Sequence, residues 1–234
     1  MTGTFVEEDF QAWNAFPQHR WAFNKLTVAL RLGYHAGPTG VPIQRKGRYI
    51  VRPTYNLYGM GIGARIVDLD PEVDRDDMIA LKYVPPGYFW CEYLEGDHYS
   101  IDFKRVNDRW MPFCSTIGVH RSEDNLVQFD SWEKIHVPDE FDLPEFIHTE
   151  ITEPMYLNVE TKGSKIFEIH LRSGNDHFWD YPIGTIMYPV WDTDEPGRFS
   201  GLPFIENLHE DSFLYSAHGH LEHTRLGYRV MEPN

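Results

Sequence analysis

The stretch MYLNVETKGSKIFEIHLR, residues 155–172, carries the strongest fold signal in the sequence. Alternating polar and apolar residues flank Lys162–Gly163, and this is the pattern of a β-hairpin. Working outward, YIVRP (49–53), YFWCEY (88–93) and HYSIDFKRV (98–106) predict three more strands, because they are rich in β-formers or alternate in polarity. Strands and helices do not alternate regularly, so the sequence predicts an α+β fold with antiparallel sheets and few helices.

Helical and turn signals are sparse. HRWAFNKLTVALRL predicts one helix from His19 to Leu32, which Gly33 ends. DPEVDRDDMIALK (70–82) favours a short helix, and Asn107–Asp108 favours a second hairpin turn. Residues 121–150 are polar, acidic and interrupted by prolines, so they are expected to form mostly loop, with a short helix at most.

The composition argues against several classes of protein. The chain has 234 residues, with 36 acidic and 21 basic side chains and a net charge of −15, which argues against a protein that coats nucleic acid. Cys91 and Cys114 are too few for a disulfide scaffold or a Cys-rich zinc site. No run approaches the roughly 18 apolar residues of a membrane span. We therefore expect a cytoplasmic protein with neither a nucleic-acid nor a membrane partner.

The same hairpin carries the chemically interesting side chains. Alternation places Glu168, His170 and Arg172 on one face of its second strand. Asn158 and Glu160 share a face of its first strand for the same reason. If the register matches, these groups suit a hard divalent cation that holds phosphate oxygens. The alternative is a solvated sheet face with cross-strand charge pairs, and the hairpin taken alone favours that alternative.

Three further stretches carry weaker signals. Arg52 ends a strand shortly before GMGIGA (59–64), where glycines let backbone N–H groups approach an anion, although a flexible turn is the more common outcome. CEYLEGDHYSIDF (91–103) is an extended segment suited to reading a purine edge, or a plain acidic connector. HGHLEH (218–223) has the residue types of a zinc site, but its spacing favours a polar surface strand.

The order of these pieces resembles the ATP-grasp superfamily of ATP-dependent carboxylate ligases. A helix with Lys25 precedes a Gly-Val-Pro turn, and a strand ending in Arg52 and Pro53 precedes the glycine loop. An aromatic strand then leads into EYLEG (92–96), and the E-x-H-x-R strand follows. The resemblance implies two mostly antiparallel sheets that sandwich a nucleotide cleft. It also implies an N-terminal helical segment at 1–40, a small lobe at 41–95 and a larger lobe at 96–234.

The resemblance also implies roles for single residues. The side chains and backbone groups expected to bind ATP are those of Lys25, Arg52, Gly59, Gly61, Gly63, Glu92, Leu94 and His98. The residues expected to bind Mg²⁺ or Mn²⁺ are Glu168 and His170, together with Asn158 or Glu160. Arg52 and Arg172 are the expected catalytic residues, since they add fixed positive charge near the transferred phosphoryl group.

The function implied is ATP-dependent carboxylate–amine ligation through an acyl phosphate, with a small-molecule or peptide substrate. His98 stands where the family usually has a ribose-binding acid, and His170 stands at the usual Asn, where nitrogen suits Mn²⁺ better than Mg²⁺. Only about 20 residues precede the predicted helix, whereas many members carry an N-terminal domain that completes the acceptor site.

These departures favour a second hypothesis, in which the chain is a catalytically inactive ATP-grasp-like structural or regulatory subunit of a larger assembly. A homo-oligomer is equally compatible with the sequence. A third hypothesis is an unrelated β-rich binding protein, and it predicts that the hairpin faces solvent.

Overall fold

The computed structural model describes residues 4–57, 61, 63–74, 84–122, 126–139, 141–174, 178–195, 197–206 and 225–233. Three sequence-based predictions lie wholly or largely outside these residues. They concern Gly59 of the glycine loop, most of the short helix expected at 70–82, and the three histidines of HGHLEH.

Helices in the described part of the chain are short. The α-helices are α1 (Asp9–Ala15), α2 (Lys25–Arg31) and α3 (Glu145–Glu150), and 3-10 helices cover Pro17–Phe23 and Phe178–Asp180. None of these helices combines the length and the apolar character that crossing a bilayer requires.

A four-stranded antiparallel sheet, the small sheet, lies in the first half of the chain. Its strands are β1 (Ala36–Pro38), β2 (Gly47–Pro53), β3 (Arg65–Leu69) and β4 (Tyr88–Glu92). They are arranged in the order β1-β4-β2-β3. Strand β1 precedes residue 41, where the sequence analysis began the small lobe, and the lobe boundaries themselves stay predictions.

An eight-stranded antiparallel sheet, the large sheet, takes up most of the remaining chain. Its strands are β5 (His98–Val106), β6 (Arg109–His120), β7 (Phe129–Ile135), β8 (Tyr156–Lys162), β9 (Lys165–His170), β10 (Ile186–Trp191), β11 (Phe204–Glu206) and β12 (Arg225–Met231). Their order is β11-β12-β10-β7-β6-β5-β8-β9. The predicted α+β class with two antiparallel sheets is therefore confirmed.

The hairpin of β8 and β9 has the expected alternation and one irregularity. Asn158 pairs with His170, and Glu160 pairs with Glu168, but Thr161 pairs with Ile166. The intervening Phe167 is therefore a bulge, which bends the strand immediately before the polar residues. The turn lies at Gly163–Ser164, one residue later than predicted, since Lys162 pairs with Lys165.

The two faces of this part of the large sheet differ sharply. Ile101, Leu157, Val159 and Ile169 join a buried apolar cluster with residues of the N-terminal helices, including Ala12. The side chains of the other parity, which include the polar residues of the hairpin, point away from this cluster. β9 is the edge strand, and α2 packs against it. The N-terminal helices can therefore reach around this edge.

The single helix predicted from His19 to Leu32 is wrong, because the chain changes helix type at Asn24. A 3-10 helix ends at Phe23, and the Asn24 side chain accepts a hydrogen bond of 2.9 Å from the Thr27 backbone N–H. Such capping begins a new helix, which places Lys25 in its first turn.

The expectation that 121–150 is mostly loop also missed a strand, β7, which pairs with both β6 and β10. The polar sequence of β7 does not predict a strand, because the buried Lys134 has the character of a surface residue. The ammonium of Lys134 donates to the carbonyls of Phe178, Trp179 and Tyr181 at 2.8, 3.0 and 2.6 Å. Three hydrogen bonds satisfy the buried charge.

Gly96→Ala is expected to destabilise the chain by at least about 1 kcal/mol more than Gly40→Ala, because overpacking costs about 1 to 3 kcal/mol. Both glycines have positive φ, but a Cβ on Gly96 would lie 2.8 Å from the Gly163 backbone nitrogen, whereas Gly40 faces open space. Urea unfolding measures the difference. Equal losses in the two variants would contradict the close approach of Gly96, in the segment between β4 and β5, to the hairpin turn at Gly163.

Candidate functional site

A cavity of about 210 Å³ lies between the small and the large sheet. Predicted site residues that line it are Lys25, Arg52, Gly61, Glu92, Leu94, His98, Asn158, Glu160, Glu168, His170 and Arg172. Gly63 is not among its lining residues. The hairpin face thus borders a cleft rather than open solvent, contrary to the alternative of a solvated sheet face.

Glu168 connects three elements at the centre of this cavity. Its carboxylate lies 2.5 Å from the ammonium of Lys25 and 3.7 Å from the guanidinium of Arg52. Arg52 comes from the small sheet and also donates to the carbonyl of the bulge residue Phe167 at 2.8 Å. Lys25 and Arg52 are each only 6% exposed, so both charges depend on Glu168 rather than on water.

Two carboxylates face each other across the hairpin. Glu160 and Glu168 are directly paired in the register, an arrangement that is destabilising unless positive charge lies nearby. His170 supplies some of that charge, because its Nε2 lies 3.6 Å from Glu160 and 3.7 Å from Glu168. One donor atom from each of these three residues lies within 4.8 Å of the others, so the set can hold a cation.

Asp9, the first residue of α1, enters the same cluster from the N-terminal segment. It is 1% exposed, and its carboxylate contacts Nδ1 of His170 at 2.8 Å and Nε of Arg172 at 2.9 Å. Although burial raises the pKa of Asp9, the positive charges of Arg172 and His170 lower it to about 2. For His170 the two effects have the opposite signs: burial lowers its pKa, but the negative charge of Asp9 raises it to about 9. The pair is therefore ionic at neutral pH.

Two further histidines extend the polar chain away from Glu160. Nε2 of His98 lies 3.2 Å from Glu160, and its Nδ1 lies 3.2 Å from His120. The His98 ring meets the edges or faces of aromatic neighbours, including Phe129 and Trp132 at centroid distances of 5.0 and 5.4 Å. Burial raises the pKa of Glu160, but hydrogen bonds with His170 and His98 hold it well below its usual range.

Asn158 is anchored by its amide group on the cavity side of β8. Its Nδ2 donates to Asp102 at 2.8 Å and to the Ser100 hydroxyl at 2.9 Å. Asp102 also accepts from the Gly174 backbone and from the Trp179 indole, at 2.6 and 2.8 Å. Burial raises the pKa of Asp102. This network fixes the position of Asn158 through its Nδ2, whereas Glu160 lies in the carboxylate–imidazole cluster with Glu168 and His170.

Comparisons with known proteins identify the fold. No protein-family model and no curated protein matches the sequence. Solved structures match it throughout: the N5-carboxyaminoimidazole synthetase of Staphylococcus aureus complexed with ADP has a TM-score of 0.55 at 13% identity, over 98% of this chain and 70% of that one. The N5-carboxyaminoimidazole synthase of Aspergillus clavatus, in complex with ADP and 5-aminoimidazole ribonucleotide, has a TM-score of 0.58 at 11% identity, over 97% and 71%.

The complex of Campylobacter jejuni biotin carboxylase with β,γ-ATP has a TM-score of 0.53 at 12% identity, over 91% of this chain and 63% of that one. All three neighbours are ATP-grasp proteins. This chain has an ATP-grasp fold. The resemblance stated from the order of its motifs is confirmed at the level of the fold.

Within the ATP-grasp fold, the structure brings nearly all the predicted site residues to one cavity, while their individual roles stay predictions. The residues predicted from the sequence do not include Asp9, Asp102 or His120. Asp102 lies on the predicted strand 98–106, on the same polar face as Ser100, and this alternation is a signal that could have indicated it. His120 lies on the neighbouring strand β6. No local pattern connects Asp9 with a hairpin 161 positions away.

Proposed function

We propose that this chain is an ATP-dependent carboxylate–amine ligase that works through an acyl phosphate. The observation that carries the proposal is the meeting of Arg52, from the small sheet, with Glu168, from the large sheet, inside the cavity between them. Three of the structural neighbours were solved with ADP or ATP bound, which supports a nucleotide as the occupant of this cavity.

The donor set fits a divalent ion, Mg²⁺ or Mn²⁺. Glu160 and Glu168 offer carboxylate oxygens within one small volume, and His170 would offer Nε2 once the ion displaces the proton from it. When bound, such an ion would spread the charge on the transferred phosphoryl oxygens. Arg52 and Lys25 add fixed positive charge beside Glu168, and Arg172 adds it beside Asp9.

In the proposed reaction a carboxylate oxygen of the substrate attacks the γ-phosphorus of ATP. A new P–O bond forms while the bond to the ADP oxygen breaks, and ADP leaves with that electron pair. An amine nitrogen then attacks the acyl carbon, the C–N bond forms, and phosphate leaves with the electrons of the C–O bond while the amine proton passes to solvent. Positioning and electrostatic stabilisation supply most of the catalysis in phosphoryl transfer.

Hydroxylamine tests this reaction without knowledge of the natural amine. The chain is incubated with ATP, Mg²⁺ or Mn²⁺, hydroxylamine and a panel of carboxylic acids, and hydroxamates are measured. The proposal expects hydroxamate with one chemical class of acid, and none when ATP is omitted. Nucleotide binding without hydroxamate for any acid would count against ligation.

A second candidate is the catalytically inactive scaffold, as part of an assembly or a homo-oligomer. It is favoured by the internal charge balance of the cluster. Three carboxylates and three permanently positive side chains occupy it: Asp9, Glu160, Glu168, Lys25, Arg52 and Arg172. A cluster neutralised by its own cations keeps its structure without a metal ion. Absence of nucleotide binding with either metal would support this candidate.

Arg52→Met is expected to weaken ATP binding about 10- to 100-fold, because a hydrogen bond to a charged group contributes about 1.5 to 3 kcal/mol. The matched control is Arg65→Met, which removes the same charge from an exposed position on the neighbouring strand β3. Isothermal titration of each variant with ATP and a divalent ion gives the dissociation constants. Equal affinities in the two variants would remove Arg52 from the phosphate-binding role.

A further inference from the structure

The cavity between the sheets has an end that the charged cluster does not occupy. The residues that line this end come from β6, β7, β10 and β12 of the large sheet, and they include Phe129, Trp132, Pro189 and Trp191, which we call the aromatic end. Among the described lining residues, these four strands supply no carboxylate, whereas Glu160 and Glu168 lie on β8 and β9. The two parts of the cavity therefore suit different parts of a ligand.

Gly118 of β6 lets two aromatic rings lie over the backbone of the sheet. It pairs with Trp132 of β7, and a Cβ on Gly118 would lie 2.7 Å from the Trp132 ring and 2.8 Å from the Phe129 ring. The centroids of these two rings are 4.2 Å apart. Because aromatic rings pack favourably against other planar apolar groups, the aromatic end favours a flat ligand.

Trp191, at the end of β10, has a hydrogen-bond donor without an acceptor. The residue is 2% exposed, and its indole Nε1 has no hydrogen-bond partner among the described residues. A buried donor that stays unpaired is destabilising. Arg225 of β12 pairs with Trp191 in the register and lines the same cavity. An indole N–H beside a guanidinium is suited to an oxygen acceptor on a ligand.

The small sheet also bounds the cavity near this end. Gly61, in the segment between β2 and β3, has a φ of 61°, and a Cβ there would lie 2.9 Å from the carbonyl oxygen of Leu126. Leu126 precedes β7, and both residues line the cavity. A ligand at the aromatic end is therefore held between the sheets, where a hydrogen bond is electrostatically stronger than in water.

We propose that the aromatic end binds the body of the carboxylic acid substrate, and that this acid is aromatic, with an oxygen acceptor at the end away from its reacting carboxylate. Trp191 is the residue that selects this acceptor. The inference rests on the proposed function, because the reacting carboxylate must face the phosphoryl group at the charged cluster.

Two other occupants fit the aromatic end less well. A substrate ammonium would meet Arg225 there, and the described residues supply no carboxylate to pair with it. The purine of ATP is expected beside residues 92–96, which connect β4 of the small sheet with β5 of the large sheet. The acid is the remaining component of the proposed reaction.

Two acids of nearly the same shape test the donor of Trp191. In para-isopropylbenzoate a methyl group replaces the ketone oxygen of para-acetylbenzoate. Each acid, and each of the longer arylpropanoates with the same para groups, is titrated calorimetrically into the native chain with Mg²⁺ and the β,γ-imido analogue of ATP, which cannot transfer its phosphoryl group. In at least one pair the acetyl acid is expected to bind about 10-fold more tightly, because its analogue leaves the indole N–H unpaired.

The aromatic ring and the donor are tested separately. Hexanoate is expected to bind about 3- to 10-fold more weakly than the isopropyl acid, since it lacks a ring that can stack. Trp191→Phe keeps a ring but removes the donor, so it should bind the two para-substituted acids equally. Trp21→Phe is the matched control, because this ring packs against Phe146 and does not line the cavity. The control should keep the preference, and the comparison of acids on the native chain needs no variant.

The possible failures are distinguishable. A native chain that binds the ATP analogue but binds all these acids equally would overturn this inference and leave the proposed nucleotide site intact. An acetyl preference that persists in Trp191→Phe would overturn the role of Trp191. Competition between adenosine and para-acetylbenzoate would assign the aromatic end to the purine and overturn the inference. Failure of the analogue to bind the native chain would overturn the inference and the proposed function together.

Discussion

Glu168→Gln is expected to lower the free energy of unfolding by about 3 to 5 kcal/mol, the usual cost of breaking a buried ion pair from one side. The amide keeps the shape of the side chain but removes the charge that Lys25 and Arg52 share at 2.5 and 3.7 Å. Both cations are almost fully buried, so water cannot replace the carboxylate. Denaturant unfolding of the ligand-free chain measures this loss.

The same variant is expected to lose divalent-ion-dependent ATP binding and at least about 100-fold in ligation rate, comparable with removing one group that stabilises transition-state charge. Glu145→Gln is the control, since Glu145 pairs with Arg109 at 3.2 Å on the surface, where such pairs contribute about 1 kcal/mol or less. Unchanged stability and unchanged ATP binding in Glu168→Gln would rule out the central position assigned to this residue.

Asp9→Asn is expected to change how the stability of the chain depends on pH. Burial lowers the pKa of His170, but the negative charge of Asp9 outweighs burial and raises the pKa from 6.5 to about 9 in the folded chain. The resulting stabilisation is fully present below pH 6.5 and is lost as the pH rises through about 9. Its size is on the order of 3 kcal/mol, because each pKa unit corresponds to about 1.4 kcal/mol.

At acidic pH the stability of the chain depends on pH in the opposite direction, because the group involved is Asp9. The pKa of Asp9 is lowered from 3.8 to about 2, so its stabilisation is present above pH 3.8 and is lost as the pH falls through 2. Asparagine cannot carry the charge that raises the pKa of His170, and burial and Arg172 would then lower that pKa. The variant should therefore be less stable than the native chain at pH 6, and the difference should shrink towards pH 9.

Urea unfolding between pH 5 and 10, in the presence of a chelator, gives both stability curves. His148→Asn is the control, because it likewise replaces a buried titratable residue with asparagine but leaves Asp9 and His170 in place. A constant difference between native chain and Asp9→Asn across pH 6.5 to 9 would contradict the ionic pair.

The parts of this fold that the sequence predicted correctly depend on local periodicity. The alternation around Gly163 placed Glu168 and His170 on one face, and the observed register pairs them with Glu160 and Asn158. The resemblance to ATP-grasp proteins came from the order of short motifs, and the fold confirms it, although no single motif was specific.

The parts that the sequence did not predict depend on contacts between distant segments. Asp9 reaches His170 only because α1 begins beside the end of an edge strand, and no periodicity encodes that. Strand β7 was not predicted because Lys134 has the polarity of a surface residue, and the three carbonyls that satisfy its charge belong to residues more than 40 positions away. The break at Asn24 and the bulge at Phe167 each depend on one or two hydrogen bonds, which an average propensity does not resolve.

Calorimetric titration of the native chain with ATP, in the presence of Mn²⁺, Mg²⁺ or a chelator, tests most directly whether the cavity between the sheets is a metal-dependent nucleotide site. We expect saturable binding of one ATP per chain with either ion, tighter with Mn²⁺, and a large loss of affinity with the chelator. No binding heat with either ion, at temperatures chosen to exclude a zero enthalpy, would contradict the account.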